Sequence, residues 1–194
     1  MQELNVLPEL LVRFLTQPRT AVLIALLLGA AVIDWRTYRI PNWLTVGGMA
    51  FGLIYSAAVH PGTLSGFLLS LAGLATGLVV LLPVYALRVM GAGDVKLMAA
   101  VGAIVGLPDI LWALLYTLAV GGFVAIAFAV YRKSFRRMSS NVADIVQNMA
   151  FAAFAGYQPT AATAKRASIG KFPYGVSIAI GTLGWLGARQ LGYA

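Results

Sequence analysis

Cysteine is absent from the 194-residue chain. A disulfide framework, a thiolate zinc site and a cysteine nucleophile are therefore excluded. Histidine is nearly absent too, and the lone His60 argues against an imidazole-based metal site. Charge is scarce: Asp, Glu, Lys and Arg together make up 10% of the residues, against about 25% in soluble domains. Only six acids occur: Glu3, Glu9, Asp34, Asp94, Asp109 and Asp144. Any acid–base chemistry must fall on few side chains. Apolar residues, by contrast, fill 60% of the chain, where about 45–50% is ordinary. The mean hydropathy is +0.86. A disordered chain, a collagen and an ordinary soluble enzyme do not fit, and an all-α polytopic membrane protein does.

A helix needs about 20 mostly apolar residues to cross ~30 Å of hydrocarbon. Six stretches are expected to do so: 20–38, 43–59, 64–87, 94–107, 110–131 and 174–193. They form a single membrane-embedded domain over 1–194. The connections are built from breakers: Ile40-Pro41-Asn42, His60-Pro61-Gly62, Gly91-Ala92-Gly93 and Leu107-Pro108-Asp109. His60 is read as an outer-turn residue. Gly48 and Gly52 are four apart, as are Gly73 and Gly77, a spacing that suits close helix packing. Arg13 and Arg19 before the apolar run Ala21–Ile33 superficially resemble a signal peptide. The basic residues lie too deep for that, behind a lead with two glutamates, and five spans follow. The stretch reads as a retained first helix.

The long polar segment 132–173 carries seven basic residues: Arg132, Lys133, Arg136, Arg137, Lys165, Arg166 and Lys171. Within it Ile145, Val146, Met149, Ala150 and Ala153 fall at helical spacing. An amphipathic helix on the membrane surface is expected, reading anionic lipid and fixing topology rather than gripping substrate as a lid. Loops alternate sides across six spans. One side then collects eleven of the 14 basic residues and the other collects Arg13, Arg19 and Arg189. The richer side should be cytoplasmic, with both termini outside.

Asp34 follows the first apolar run, and Asp94 opens the fourth span. Parity brings the two to the same leaflet although 60 residues separate them. From the far end of each span, Asp34 lies ~21 Å along and Asp94 ~20 Å, at 1.5 Å per residue. Both fall short of the ~30 Å hydrocarbon thickness. Each alone has an ordinary explanation. Asp94 suits a helix N-cap after glycine. Asp34 suits an interfacial edge with Trp35, Tyr38 and Trp43 as an aromatic belt. Neither explanation accounts for the shared side and depth, and an ionisable group inside a span marks a functional site. Two adjacent carboxyls cannot both ionise easily, so one stays protonated. The ionised partner can then take a proton from water while the neutral one polarises a peptide carbonyl. That is aspartic proteolysis, with no metal and no cofactor. The pair titrates as a unit, so neither residue is assigned permanently as acid or base. Lys96 does not face Asp94 along the helix; it is expected to snorkel to headgroups or to set the site potential. Asp109 is expected to cap the fifth helix and Asp144 the surface helix.

These residues resemble a known family. Gly91-Ala92-Gly93-Asp94 is a GxGD motif, and Gly93 to Met98 looks like the second catalytic motif of the type IV prepilin peptidases. Asp34-Trp35-Arg36 with Ile40-Pro41-Asn42-Trp43-Leu44-Thr45 resembles their first motif, and Phe172-Pro173-Tyr174-Gly175 a third signature. The resemblance runs from about Ala21 to Gly187. It implies an integral membrane aspartic endopeptidase of the bacterial inner membrane, with Asp34 and Asp94 as the catalytic pair facing the cytoplasm. Arg36, Pro41, Asn42, Gly91, Gly93, Lys96, Pro173, Tyr174 and Gly175 become supporting motif residues. The implied partner is a prepilin or pseudopilin, a basic leader joined to a hydrophobic helix and cut after a glycine at the junction; no nucleic acid is implied. Larger members carry paired CxxC motifs and N-methylate the product. This cysteine-free chain resembles the compact stand-alone peptidases of tight-adherence (Flp) pili, which makes methyl transfer unexpected. Archaeal-type preflagellin peptidases offer the same chemistry. From other classes, a small proton-coupled transporter relaying protons through the two aspartates, and a non-catalytic assembly subunit, remain as alternatives.

Overall fold

The computed structural model describes residues 17–59, 63–86, 90–131 and 173–192. Six helices make up the described secondary structure: α1 (Pro18–Thr37), α2 (Asn42–Val59), α3 (Thr63–Ala86), α4 (Ala92–Val105), α5 (Asp109–Tyr131) and α6 (Tyr174–Gln190). Each falls on one of the six apolar stretches, with ends within about three residues of the expectation. The surface helix expected within 132–173, His60, Asp144 and Phe172 lie outside the described residues.

Among the described residues, four helices are long and apolar enough to cross a membrane: α1, α2, α3 over Leu64–Ala86 and α5 over Asp109–Ala127. The chain is a membrane protein on this count. The two remaining helices are shorter. α6 has 17 residues. α4 has 14, only ~21 Å at 1.5 Å per residue. An apolar helix of that length more often belongs in a protein core than across a bilayer. Here α4 is the core: eleven of its residues, Asp94 among them, are buried. It packs chiefly against α3 and α2 and also touches α1, α5 and α6.

Glycine is what lets α4 sit so deep. Lipid tails supply no hydrophobic drive between helices, so close backbone approach and dispersion must hold them together. A methyl on Gly73 of α3 would strike the Gly102 carbonyl of α4, and one on Gly102 would strike the Gly73 carbonyl. A methyl on Gly77 would lie 2.5 Å from Met98 O, and one on Gly52 of α2 2.5 Å from the Ala103 carbonyl carbon. Ser70 adds a hydrogen bond from its hydroxyl to Ala103 O. The spaced glycines are packing surfaces, as their sequence positions suggest.

The chain bends sharply between α1 and α2. Tyr38 takes a left-handed conformation (φ 52) and its N–H caps Asp34 O at 2.8 Å. Thr37 Oγ1 donates to the carbonyls of Ile33 and Arg39. At the opposite end of the bundle, Arg189 pairs with Asp109 and lies 5.5 Å over the Trp185 ring. Arg19 Nε donates to Ile104 O. Asp109, expected to cap α5, is its first residue and is held by this ion pair.

A backbone contact of this kind yields little to a new side chain. Gly73→Ala is expected to destabilise the protein by about 1–3 kcal/mol through overpacking. At Gly122 a methyl meets nothing within 4 Å, so Gly122→Ala is expected to cause no loss. Thermal unfolding of the two variants in detergent checks the contrast.

Candidate functional site

Two buried carboxyls lie at one end of the bundle. Asp34 stands in the last turn of α1 and is 4% exposed; Asp94 stands in the first turn of α4 and is 7% exposed. Their charges lie within electrostatic reach of each other, and Tyr174 lies within reach of Asp94. The shared end inferred from counting spans is the arrangement observed.

Each carboxyl has one oxygen fixed by a glycine amide. Gly175 N–H donates to Asp34 Oδ2 at 2.8 Å, across 141 residues of sequence. Gly175 is the second residue of α6, where an amide has no partner inside its own helix. Gly91 N–H donates to Asp94 Oδ2 at 2.9 Å. This second contact corrects the expected start of α4. Asp94 is not the N-cap. Gly91, in extended conformation (φ −81, ψ 157), takes that place, and Asp94 at the third helical position reaches back to it. A carboxylate three residues into a helix suits this as well as an N-cap does, so the aspartate alone could not fix the boundary.

The supporting motif residues divide. Gly91 and Gly175 bond the carboxyls directly. Pro173 is buried as the N-cap of α6, and Tyr174 is half-buried as its first residue. Gly93 abuts Ile40. Lys96 Nζ donates to Asn42 Oδ1 at 2.9 Å, joining α4 to the first residue of α2. This bond is a further contact beside the two roles expected of Lys96, reaching headgroups or setting the site potential: a neutral acceptor on the neighbouring helix is close enough to take the ammonium. Pro41 is half-buried before α2, and Arg36 is exposed on the last turn of α1, with neither brought onto the carboxyls by a described contact. Two residues of the first motif gain a place that the sequence did not single out. Ile40 is 8% exposed, and Thr45 is fully buried, its hydroxyl donating to Asn42 O at 3.1 Å. A lone aliphatic side chain in the turn Tyr38-Arg39-Ile40-Pro41 was the available signal.

Among the described residues no third His, Cys, Asp or Glu joins the two carboxyls to form a metal-sized group. What the site offers is a pair of buried acids, each oriented by a backbone amide that no side-chain rotamer can withdraw.

Residues 21–126 match the family model described as the type IV leader peptidase family. No curated protein and no solved structure matches the chain. The matched segment carries both aspartates and ends before α6.

A methyl on Gly175 would stand 2.8 Å from Asp34 Oδ2 and 3.1 Å from Asp34 Cβ. Gly175→Ala is therefore expected to displace Asp34 and to lower stability by about 1–3 kcal/mol. Gly184→Ala, whose methyl meets only Tyr116 Cδ1 at 3.8 Å, is expected to be tolerated. Thermal unfolding of both variants provides the check.

Proposed function

Because the chain belongs to the type IV leader peptidase family, a family of proteases, we propose that it is the aspartic endopeptidase that removes the basic leader of Flp-type prepilins or pseudopilins. Asp34 and Asp94 form its catalytic pair, at the cytoplasmic face of the bacterial inner membrane. The observation that carries this reading is that two buried carboxyls, 60 residues apart in sequence, lie within electrostatic reach of each other, each inside a segment that resembles a motif of the family.

The chemistry follows from one proton shared between two acids. The ionised carboxylate takes a proton from water as its oxygen attacks the scissile carbonyl carbon. The protonated carboxyl gives its proton to the carbonyl oxygen, forming a tetrahedral diol. Collapse of the diol breaks the C–N bond. The nitrogen receives the proton first taken from water, and a diol hydroxyl returns its proton to the other carboxyl. The products are a leader carboxyl terminus and a free pilin amine, and the pair is restored. Which residue plays acid belongs to the pair as a whole. The six helices are read as six spans with both termini outside, and anionic lipid as the partner of the basic loop. A site just below the surface suits a bond at the junction of a polar leader and an apolar helix.

The decisive experiment co-expresses the protein with candidate prepilins and reads the mature N-terminus by mass spectrometry. Loss of the leader, with an unmethylated product, is expected. Asp34→Asn and Asp94→Asn are each expected to lower processing by roughly 10³-fold or more, as loss of an acid–base group does, while the protein still inserts. Robust processing by both single variants would refute the assignment. Proton flux into liposomes without any pilin, lost in the same variants, would favour a transporter instead.

A further inference from the structure

One side chain touches both halves of the site. Ile40, 8% exposed, sits in the turn between α1 and α2. A methyl on Gly93 would lie 3.1 Å from Ile40 Cβ and 3.4 Å from its backbone nitrogen and oxygen. A methyl on Gly175 would lie 3.0 Å from Ile40 Cδ1. Gly93 precedes Asp94, and the Gly175 amide holds Asp34. The isoleucine therefore fills the space between the start of α4 and the start of α6, where neither glycine has a side chain of its own. Its β-branch makes it stiff about χ1, which suits a spacer better than a flexible residue would.

The turn that carries Ile40 is tied at its far side. Asn42, two residues on, accepts the hydrogen bond from Lys96 at 2.9 Å. Lys96 stands two residues past Asp94 on α4. The bond thus links the helix bearing Asp94 to the strap bearing Ile40. Lys96 is only half-buried and Asn42 is exposed, and the bond is one contact among many that hold the bundle together. Catalysis is more sensitive: a misplacement of about 1 Å can cost about 10²-fold in rate.

We propose that Ile40 is the spacer that sets the two aspartates in register, and that the Lys96–Asn42 hydrogen bond is the latch that keeps it seated. The three are positioning residues, an assignment that rests on the peptidase reading above.

The absence of native cysteine makes Ile40→Cys the only thiol in the protein. Its labelling by a maleimide in detergent is expected to be slow. Adding Asn42→Ala or Lys96→Met is expected to raise the rate about tenfold, the worth of one hydrogen bond to a charged group. The reciprocal exchange, Lys96→Asn with Asn42→Lys, is expected to slow it again. Should Ile40→Cys fail to fold, hydrogen exchange across residues 38–45 with Ile40 intact gives the same comparison. In leader cleavage, Lys96→Met is expected to lower kcat roughly 10–100-fold with KM changed less than about twofold, and the exchange to recover most of the loss. Unchanged labelling and exchange after breaking the pair would overturn the latch. So would an exchange variant that reseats Ile40 but stays as slow as Lys96→Met. Labelling needs no substrate, so a failed latch with cleavage still dependent on Asp34 and Asp94 overturns the spacer alone. Full cleavage by Asp34→Asn and Asp94→Asn overturns the peptidase reading instead.

Discussion

Everything else in the molecule is placed around the backbone contact between α3 and α4. Gly73 and Gly102 each occupy the space where the other's side chain would be. Gly77 and Gly52 repeat the approach on either side of α4. A helix gripped in this way cannot slide or rotate without separating main chains. Asp94 is therefore a fixed point, and the short length of α4 has a use. With 14 residues against the 24 of α3, it can begin among its neighbours' side chains rather than beyond their ends, and its first-turn carboxyl is buried as a result.

Around that fixed point the second carboxyl is brought in from two directions. α1 ends one turn after Asp34 because Tyr38 turns the chain back. α6 then presents the Gly175 amide to Asp34. The opposite end of the bundle is closed by different means. Arg189 reaches Asp109 and Trp185, and Arg19 reaches the Ile104 carbonyl. These contacts tie α1, α4, α5 and α6 together without drawing a charge toward the aspartates. The family match stops at residue 126, yet the amide that orients Asp34 comes from α6. The segment Pro173-Tyr174-Gly175, which resembles a third family signature, thus contacts the candidate site through Gly175 even though it lies outside the matched segment.

Much of this was legible in the sequence, for a physical reason. Hydropathy and breakers mark where a chain enters and leaves an apolar solvent, so all six helices could be placed. The shared end of Asp34 and Asp94 needed only a count of crossings. Other features depend on packing, which carries no local signature. The start of α4 was displaced by two residues because an aspartate after glycine satisfies the pattern of an N-cap, whereas the extended Gly91 takes that role. The Lys96–Asn42 bond joins residues 54 apart, and the Gly175–Asp34 bond residues 141 apart; no periodicity encodes either. Ile40 was hidden in a motif whose polar members drew attention.

The central claim is that Asp34 and Asp94 act as one unit on a peptide bond. It is tested most directly by the single-turnover rate of leader cleavage in proteoliposomes for Asp34→Asn, Asp94→Asn and the double variant. Groups that work as a unit are non-additive, so all three proteins should fall to the same background rate. Effects that multiply in the double variant, or a single variant that keeps the unmodified rate, would contradict it.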